Sequence, residues 1–313
     1  MKSSYKAEQV GSLLRPKELI EARNQVATGQ LAADELRAVE DRAIQRVLQR
    51  QVEVGLDVLT DGEFRRSSFM SPLMEAVDGF VTLPAKLLDW QGRQGEAERH
   101  NELVVSERIV QKRRLLADEA AFMLRHAPRA FKITVPSPMI YATSCYRKAV
   151  SGVVYPALSD LTRELATIVS AEIGALVREG VKYIQLDAPN YTHFADPRRR
   201  VILEAEGIDL DTAFEDAIAA DNTCLQAARA QDVTVGVHLC RGNSRSRWLA
   251  EGSYDPIAEK LFSGLQVDRF LLEYDSERAG GFEPLRFMPR GKTVVLGLIT
   301  SKFPMALWAT TDG

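Results

Sequence analysis

Three cysteines in 313 residues, Cys145, Cys224 and Cys240, are too few and too far apart for a disulfide framework. Their odd number points instead to a reducing compartment, which makes the cytoplasm the expected location. No apolar run approaches the ~18 residues of a membrane span. Met1 to Tyr5 lead into charged residues rather than the apolar core of a signal peptide. Like charges never run longer than Arg198-Arg199-Arg200, and a net charge of -3 offers no basic footprint for nucleic acid. Internal repeats and low-complexity linkers are missing too. These absences leave a globular protein without membrane or nucleic-acid partners.

What is present is an alternation of helices with short apolar strands. Leu36, Val39, Ala43, Ile44, Val47 and Val54 recur at helical spacing over 34–54, and Gly55 closes that helix. Leu161, Leu165, Ile168, Ile173, Leu176 and Val177 repeat the pattern over 159–179, with Gly180 as the stop. A third helix is expected at about 211–230. Strands are expected at Gln9–Leu13, Val58–Asp61, Phe131–Val135, Tyr183–Asp187, Thr234–Cys240, Phe270–Tyr274 and Thr293–Ile299. Such alternation builds βαβ units and a parallel sheet. The expected fold is therefore α/β, a (β/α)8 TIM-type barrel in one domain spanning 1–313. A closed barrel needs eight strands, so the last one is expected to be missing, with the C-terminus truncated after Lys302. The open edges would allow a homo-oligomer. Phe80-Val81-Thr82-Leu83 and Leu103-Val104-Val105 break the alternation and read as the arms of a β-hairpin inserted at about 78–110.

In such a barrel the chemistry sits at the C-terminal ends of the strands. Gly11-Ser12, Asp61-Gly62-Glu63, Asp187, His238-Leu239-Cys240 and Glu273-Tyr274-Asp275 each follow an apolar run. His238 and Cys240 are two residues apart, so imidazole and thiol leave a strand on the same face. That nitrogen and sulfur pair suits zinc, whose shell takes three or four such ligands. The alternative is a packed cysteine beside a hydrogen-bonded histidine. Glu63 and Asp187 also allow a plain reading, as capping or ion-paired carboxylates. Ser12 could belong to an ordinary turn, and Cys145 and Cys224 read as packing residues.

Gly11-Ser12, Gly55-Leu-Asp-Val-Leu-Thr-Asp-Gly-Glu63, Gln185-Leu-Asp187 and His238-Leu-Cys240, in this order, resemble the catalytic domain of cobalamin-independent methionine synthase. The resemblance runs from about Val10 to Lys302. It implies that His238, Cys240 and Glu273 hold Zn2+. It implies that Glu63 and Asp187, the latter matching the family's catalytic aspartate, hold the amino group of homocysteine. Gly11 and Ser12 would hold that amino acid's carboxylate. The implied reaction joins a small thiol and a methyl donor, with homocysteine methylated to methionine.

Three positions depart from the family. No cysteine follows Cys240, so the family's fourth ligand has no counterpart. Thr300, ahead of Ser301 and Lys302, stands where folate-using members carry a histidine proton donor. Ala188-Pro189 replaces the Glu-Pro that follows the catalytic aspartate in the large enzymes. The methyl donor is therefore left open. Alkyl transfer to another thiol such as coenzyme M, or a truncated inactive member, are the alternatives.

Overall fold

A computed structural model describes residues 7–87, 90–92, 99–244 and 246–300. Its backbone strands are β1 (Val77–Leu87), β2 (Arg99–Gln111), β3 (Ile133–Pro136), β4 (Tyr183–Asp187), β5 (Thr234–Leu239), β6 (Arg269–Glu273) and β7 (Thr293–Gly297). β1 and β2 pair antiparallel, with Val81 opposite Val104. The other strands form one parallel five-stranded sheet in the order β3-β4-β5-β6-β7. Parallel neighbours need a crossover between them. Leu158–Glu179 supplies the longest helix between β3 and β4, Leu210–Arg229 between β4 and β5, and Asp255–Gly264 between β5 and β6. The expected helices thus lie where the apolar spacing put them, and Gly180 ends the first of these at a φ of 107°.

Two further parallel contacts extend the series: Glu8 bridges to Val58, and Leu59 to Phe131. These are single bridges, not the strands expected at Gln9–Leu13 and Val58–Asp61. The reason is local. Side chains take the backbone bonds that a ladder would use: Gln9 Oε1 accepts Gly11 N–H at 2.8 Å and Thr60 Oγ1 accepts Gly62 N–H at 3.1 Å. Gln51, from the helix Ala33–Glu53, accepts Thr60 N–H at 3.0 Å and donates to Thr60 O at 2.8 Å.

Alternation along the strands divides the sheet into two faces. Ile133, Val135, Ile184, Leu186, Val235, Val237, Leu239, Phe270 and Leu272 belong to the main core, which the helices share. On β3 to β6 the opposite face is mostly polar and equally buried, whereas β7 is partly exposed. Register aligns Thr134 with Gln185 and Gly236, and Pro136 with Asp187 and His238. At its lower edge lies Glu8, whose carboxylate meets Lys132 Nζ at 2.7 Å, Tyr183 OH at 3.1 Å and Arg269 Nη1 at 3.2 Å. The positions after Thr300, including the expected truncation point, lie outside the described residues.

Candidate active site

The loop after the second bridged segment is held by its own side chains. Asp61 Oδ1 accepts Glu63 N–H at 2.9 Å, and Gly62 and Glu63 both take left-handed backbone angles, with φ of 70° and 57°. A glutamate in that region costs of order 1–3 kcal/mol and persists only where its surroundings fix it. Here they do. Ser12 Oγ donates to Glu63 Oε2, and Thr134 Oγ1 donates to Glu63 Oε1 at 2.8 Å. Gly11 lies against the same carboxylate: a Cβ there would stand 2.8 Å from Glu63 Oε1.

Arg66 completes this corner. Its guanidinium grips Glu119 through Nε at 3.0 Å and Nη2 at 2.7 Å, and Nη2 also reaches Thr134 O at 2.8 Å. That leaves Nη1 facing Glu63 Oε1 at 3.5 Å. Sequence reasoning passed over Arg66, although its place three residues after Glu63 on one turn was the available signal. Burial raises the Asp61 carboxyl to about 7, with Glu119 adding and Arg66 opposing.

Asp187 ends β4, buried, and accepts Gln185 Nε2 at 2.7 Å. Burial raises its pKa, and the negative charge of Glu63 raises it further; the Gln185 hydrogen bond, Arg66 and Lys132 pull the other way. Gln185 also donates to Val10 O at 2.8 Å and so ties β4 to the N-terminal segment. Gly11, Ser12, Glu63 and Asp187 are therefore brought together as one acidic corner. Gln185 and Thr134 also belong to it; the sequence reading named neither as a site residue, although the two-residue alternation puts Gln185 on the face of Asp187.

His238 lies next along the same face, its register partner being Asp187. Burial lowers its pKa to about 4, with Glu273 opposing and Lys132 adding. The ring is neutral at physiological pH, the form that can bind a metal. Its Nδ1 is buried without a hydrogen-bond partner. Cys240, just beyond β5, is half-buried and outside any disulfide. Glu273 closes β6 on the same side, but its carboxylate is engaged. Oε2 accepts Arg241 N–H at 2.9 Å and Oε1 accepts Arg278 Nη2 at 2.9 Å.

Zinc, which the family implies, can be tested on these donors. His238 and Cys240 have the right chemistry, and the orphaned imidazole nitrogen fits a ligand role. Glu273 as arranged does not. Among the described residues no three His, Cys, Asp or Glu side chains converge to hold a metal ion. Arg278 and Arg241, the cations around Glu273, had no periodic signal in the sequence. Both lie in the loops after β5 and β6.

The fold and this corner define an α/β protein with a parallel sheet and an acidic, histidine-bearing site at the strands' C-terminal ends. The chain belongs to the cobalamin-independent synthase family, whose catalytic-domain pattern matches residues 6–304. That family is one of methyltransferases. The chain is 35% identical over 305 residues to an uncharacterized Bacillus subtilis protein, YxjH, covering 96% of this chain and 79% of that one. It is 31% identical over 272 residues to a methionine synthase of Sulfurisphaera tokodaii, covering 86% and 68%. A solved structure from Listeria monocytogenes, assigned as a vitamin-B12 independent methionine synthase, superposes with a TM-score of 0.71 at 29% identity. The match covers 95% of this chain and 80% of that one. Among the described residues no helix is long and apolar enough to cross a membrane.

Proposed function

We propose that this chain methylates the thiol of homocysteine to give methionine, on a (β/α)8-type barrel. The barrel reading rests on two observations. Strand order follows chain order without the reversal found in doubly wound sheets. Glu8 also bridges to the segment at Val58 while its carboxylate touches β4 and β6. Laid flat at about 4.8 Å per strand, β6 would stand some ~24 Å from that first segment. A sheet that curls on itself brings them together.

The observation that carries the substrate reading is the buried pairing of Glu63 with Asp187. The negative charge of Glu63 raises the pKa of Asp187, and a cation placed between the two carboxylates would relieve that repulsion. A primary ammonium is the cation of an amino acid, and Ser12 with the Gly11 backbone lies beside it for the carboxylate. Holding both groups would fix the thiol's approach. In the transfer the sulfur forms a bond to the methyl carbon, the donor keeps the electron pair of the broken bond, and the thiol proton is lost to the medium. Zinc would supply a stabilised thiolate. Of its proposed ligands, His238 has an unpartnered ring nitrogen, Cys240 has the right donor atom, and Glu273 is held by Arg241 and Arg278. The methionine synthases among the relatives support the acceptor, and three cysteines outside any disulfide favour the cytoplasm as the location.

Calorimetric titration with homocysteine and with coenzyme M tests this reading. Homocysteine should bind in preference, and Glu63→Gln and Asp187→Asn should each weaken it roughly tenfold or more, since each removes a charged partner of the ammonium. Preferential binding of the sulfonate, which has no ammonium, overturns the reading.

A further inference from the structure

The helix Leu210–Arg229 turns a stripe to the core in which Phe214, Ala217, Cys224 and Ala228 are buried at helical spacing. Asp221 lies in that same stripe and is 0% exposed. An apolar residue would fill the position at lower cost, because a buried polar group is tolerated only when it is hydrogen-bonded. Its partners therefore show what the carboxylate adds. Oδ1 accepts Ser137 Oγ at 2.7 Å, and Oδ2 accepts Tyr191 OH at 2.8 Å. Ser137 follows β3 and Tyr191 follows β4, so one side chain joins two loops. Both partners are 0% exposed, which leaves no water to replace either bond.

Asp187 sits between these two anchors. Its carbonyl accepts Ser137 N–H at 2.8 Å. Ser137 is itself fixed, since its Oγ also caps the helix Pro138–Cys145 by accepting Met139 N–H at 3.2 Å. Downstream of Asp187 the chain runs through Ala188 and Pro189 into the helix Asn190–Ala195. There Tyr191 N–H donates to Ala188 O at 3.3 Å, and the Tyr191 ring meets Phe214 edge-on at 5.6 Å. Proline fixes its own φ, so little slack separates Asp187 from Tyr191.

We propose that Asp221 is a positioning residue for Asp187: by tying the loops after β3 and β4 together, it sets the direction in which the Asp187 carboxylate meets an amino-acid ammonium. The inference rests on the proposed homocysteine reading and deepens it. Direction needs fixing because Asp187 is the last residue of β4, where the ladder ends. Gln185 Nε2 holds its Oδ1 at 2.7 Å from within the strand, and the loops on either side hold its backbone. A charge-assisted hydrogen bond spans only about 2.7–2.9 Å, so a small shift of that backbone is felt at the ligand. Asp221 acts through Asp187 and not on the ligand itself.

The test is calorimetric titration of the full chain with homocysteine. Asp221→Ala removes both anchors and should weaken binding roughly tenfold, the worth of one misdirected hydrogen bond to a charged group. Asp221→Asn accepts from one hydroxyl and offers its amide to the other, and should stay within about threefold of the wild type. A double-mutant cycle separates positioning from general loosening. Once Asp187→Asn has removed the charge, its direction no longer matters, so adding Asp221→Ala should cost less than about a further twofold. Tyr191→Phe removes one anchor and leaves the ring on Phe214. It should fall between the wild type and Asp221→Ala, and it replaces Asp221→Ala throughout if that variant does not fold. Equal affinity in the wild type and Asp221→Ala overturns the inference. So does an undiminished loss in the Asp187→Asn background, which is the result of a loosened fold. Either outcome leaves the homocysteine reading in place. If the wild type takes up no homocysteine, that reading falls and this inference with it.

Discussion

Gly11 stands so close to Glu63 that a methyl group on its Cα would lie 2.8 Å from Oε1, and 3.1 Å from Thr134 Cγ2. The contact is too short for any real Cβ, and Glu63 has little room to yield. Ser12, Thr134 and Arg66 hold the carboxylate, and its backbone already sits at a φ of 57°. Gly11→Ala should therefore rotate the carboxylate away from Asp187. Overpacking of this kind costs about 1–3 kcal/mol. Homocysteine affinity should drop roughly tenfold or more while the circular dichroism spectrum is unchanged. Unaltered affinity would separate Gly11 from the site.

Arg66 and Glu119 form a buried, two-pronged ion pair, with side chains 2% and 7% exposed. Removing one member strands the other. Glu119→Ala should destabilise the protein by about 3–5 kcal/mol, read as a fall in the urea midpoint. The double variant Arg66→Met/Glu119→Leu should recover part of that loss, since the broken pair is gone, and the remaining cost is Glu63 losing its neighbour Arg66 Nη1. Strict additivity of the two single changes would show that the pair is not coupled.

The parts of this protein that follow a period were legible in its sequence. Tyr183–Asp187 has the expected bounds, and the placement of Gln185, Asp187 and His238 on one face follows from a repeat of two. Gln9–Leu13 was not legible as it stands. A polar side chain can satisfy the backbone in place of a neighbouring strand, and Gln9 does so at Gly11. Glu8, one residue outside that expected strand, makes the contacts that tie the first segment to β4 and β6. Arg278 could not have been found either. It sits on the 3-10 turn Glu277–Ala279, five residues past Glu273, where no repeat fixes direction and only tertiary contacts bring the guanidinium back.

Asp221 is buried in the helix Leu210–Arg229 and accepts Ser137 Oγ at 2.7 Å and Tyr191 OH at 2.8 Å. Burial raises its pKa to about 7, with the two hydrogen bonds opposing. An unfolded aspartate titrates near ~3.9. Between those values the folded state holds a proton that the unfolded state has lost, so Asp221 makes stability fall as pH rises from about 4 to about 7. The slope is up to about 1.4 kcal/mol per pH unit for one proton. Asp221→Asn removes that contribution. Urea unfolding at pH 5 and pH 7 should show a smaller loss in the variant than in the wild type. An identical loss in both would mean that the carboxyl titrates elsewhere.

Glu8 joins the N-terminal segment to β4 and β6, and its removal tests whether that link stabilises the fold. Without it, Lys132 and Arg269, with side chains 0% and 6% exposed, face one another across Tyr183 with no carboxylate between them. Burial already lowers the Lys132 pKa, and Glu8 is the largest opposing influence. Glu8→Ala should thus lower it further and destabilise the protein by about 3–5 kcal/mol. Adding Lys132→Met should restore much of the loss, because the fully buried cation that Glu8 held is gone. Hydrogen exchange gives the sharper readout. In Glu8→Ala the amides of β4 and β6 should lose protection together, since one carboxylate touches both. Loss confined to the segment at residues 7–13 would show that β4 and β6 do not depend on this ion cluster.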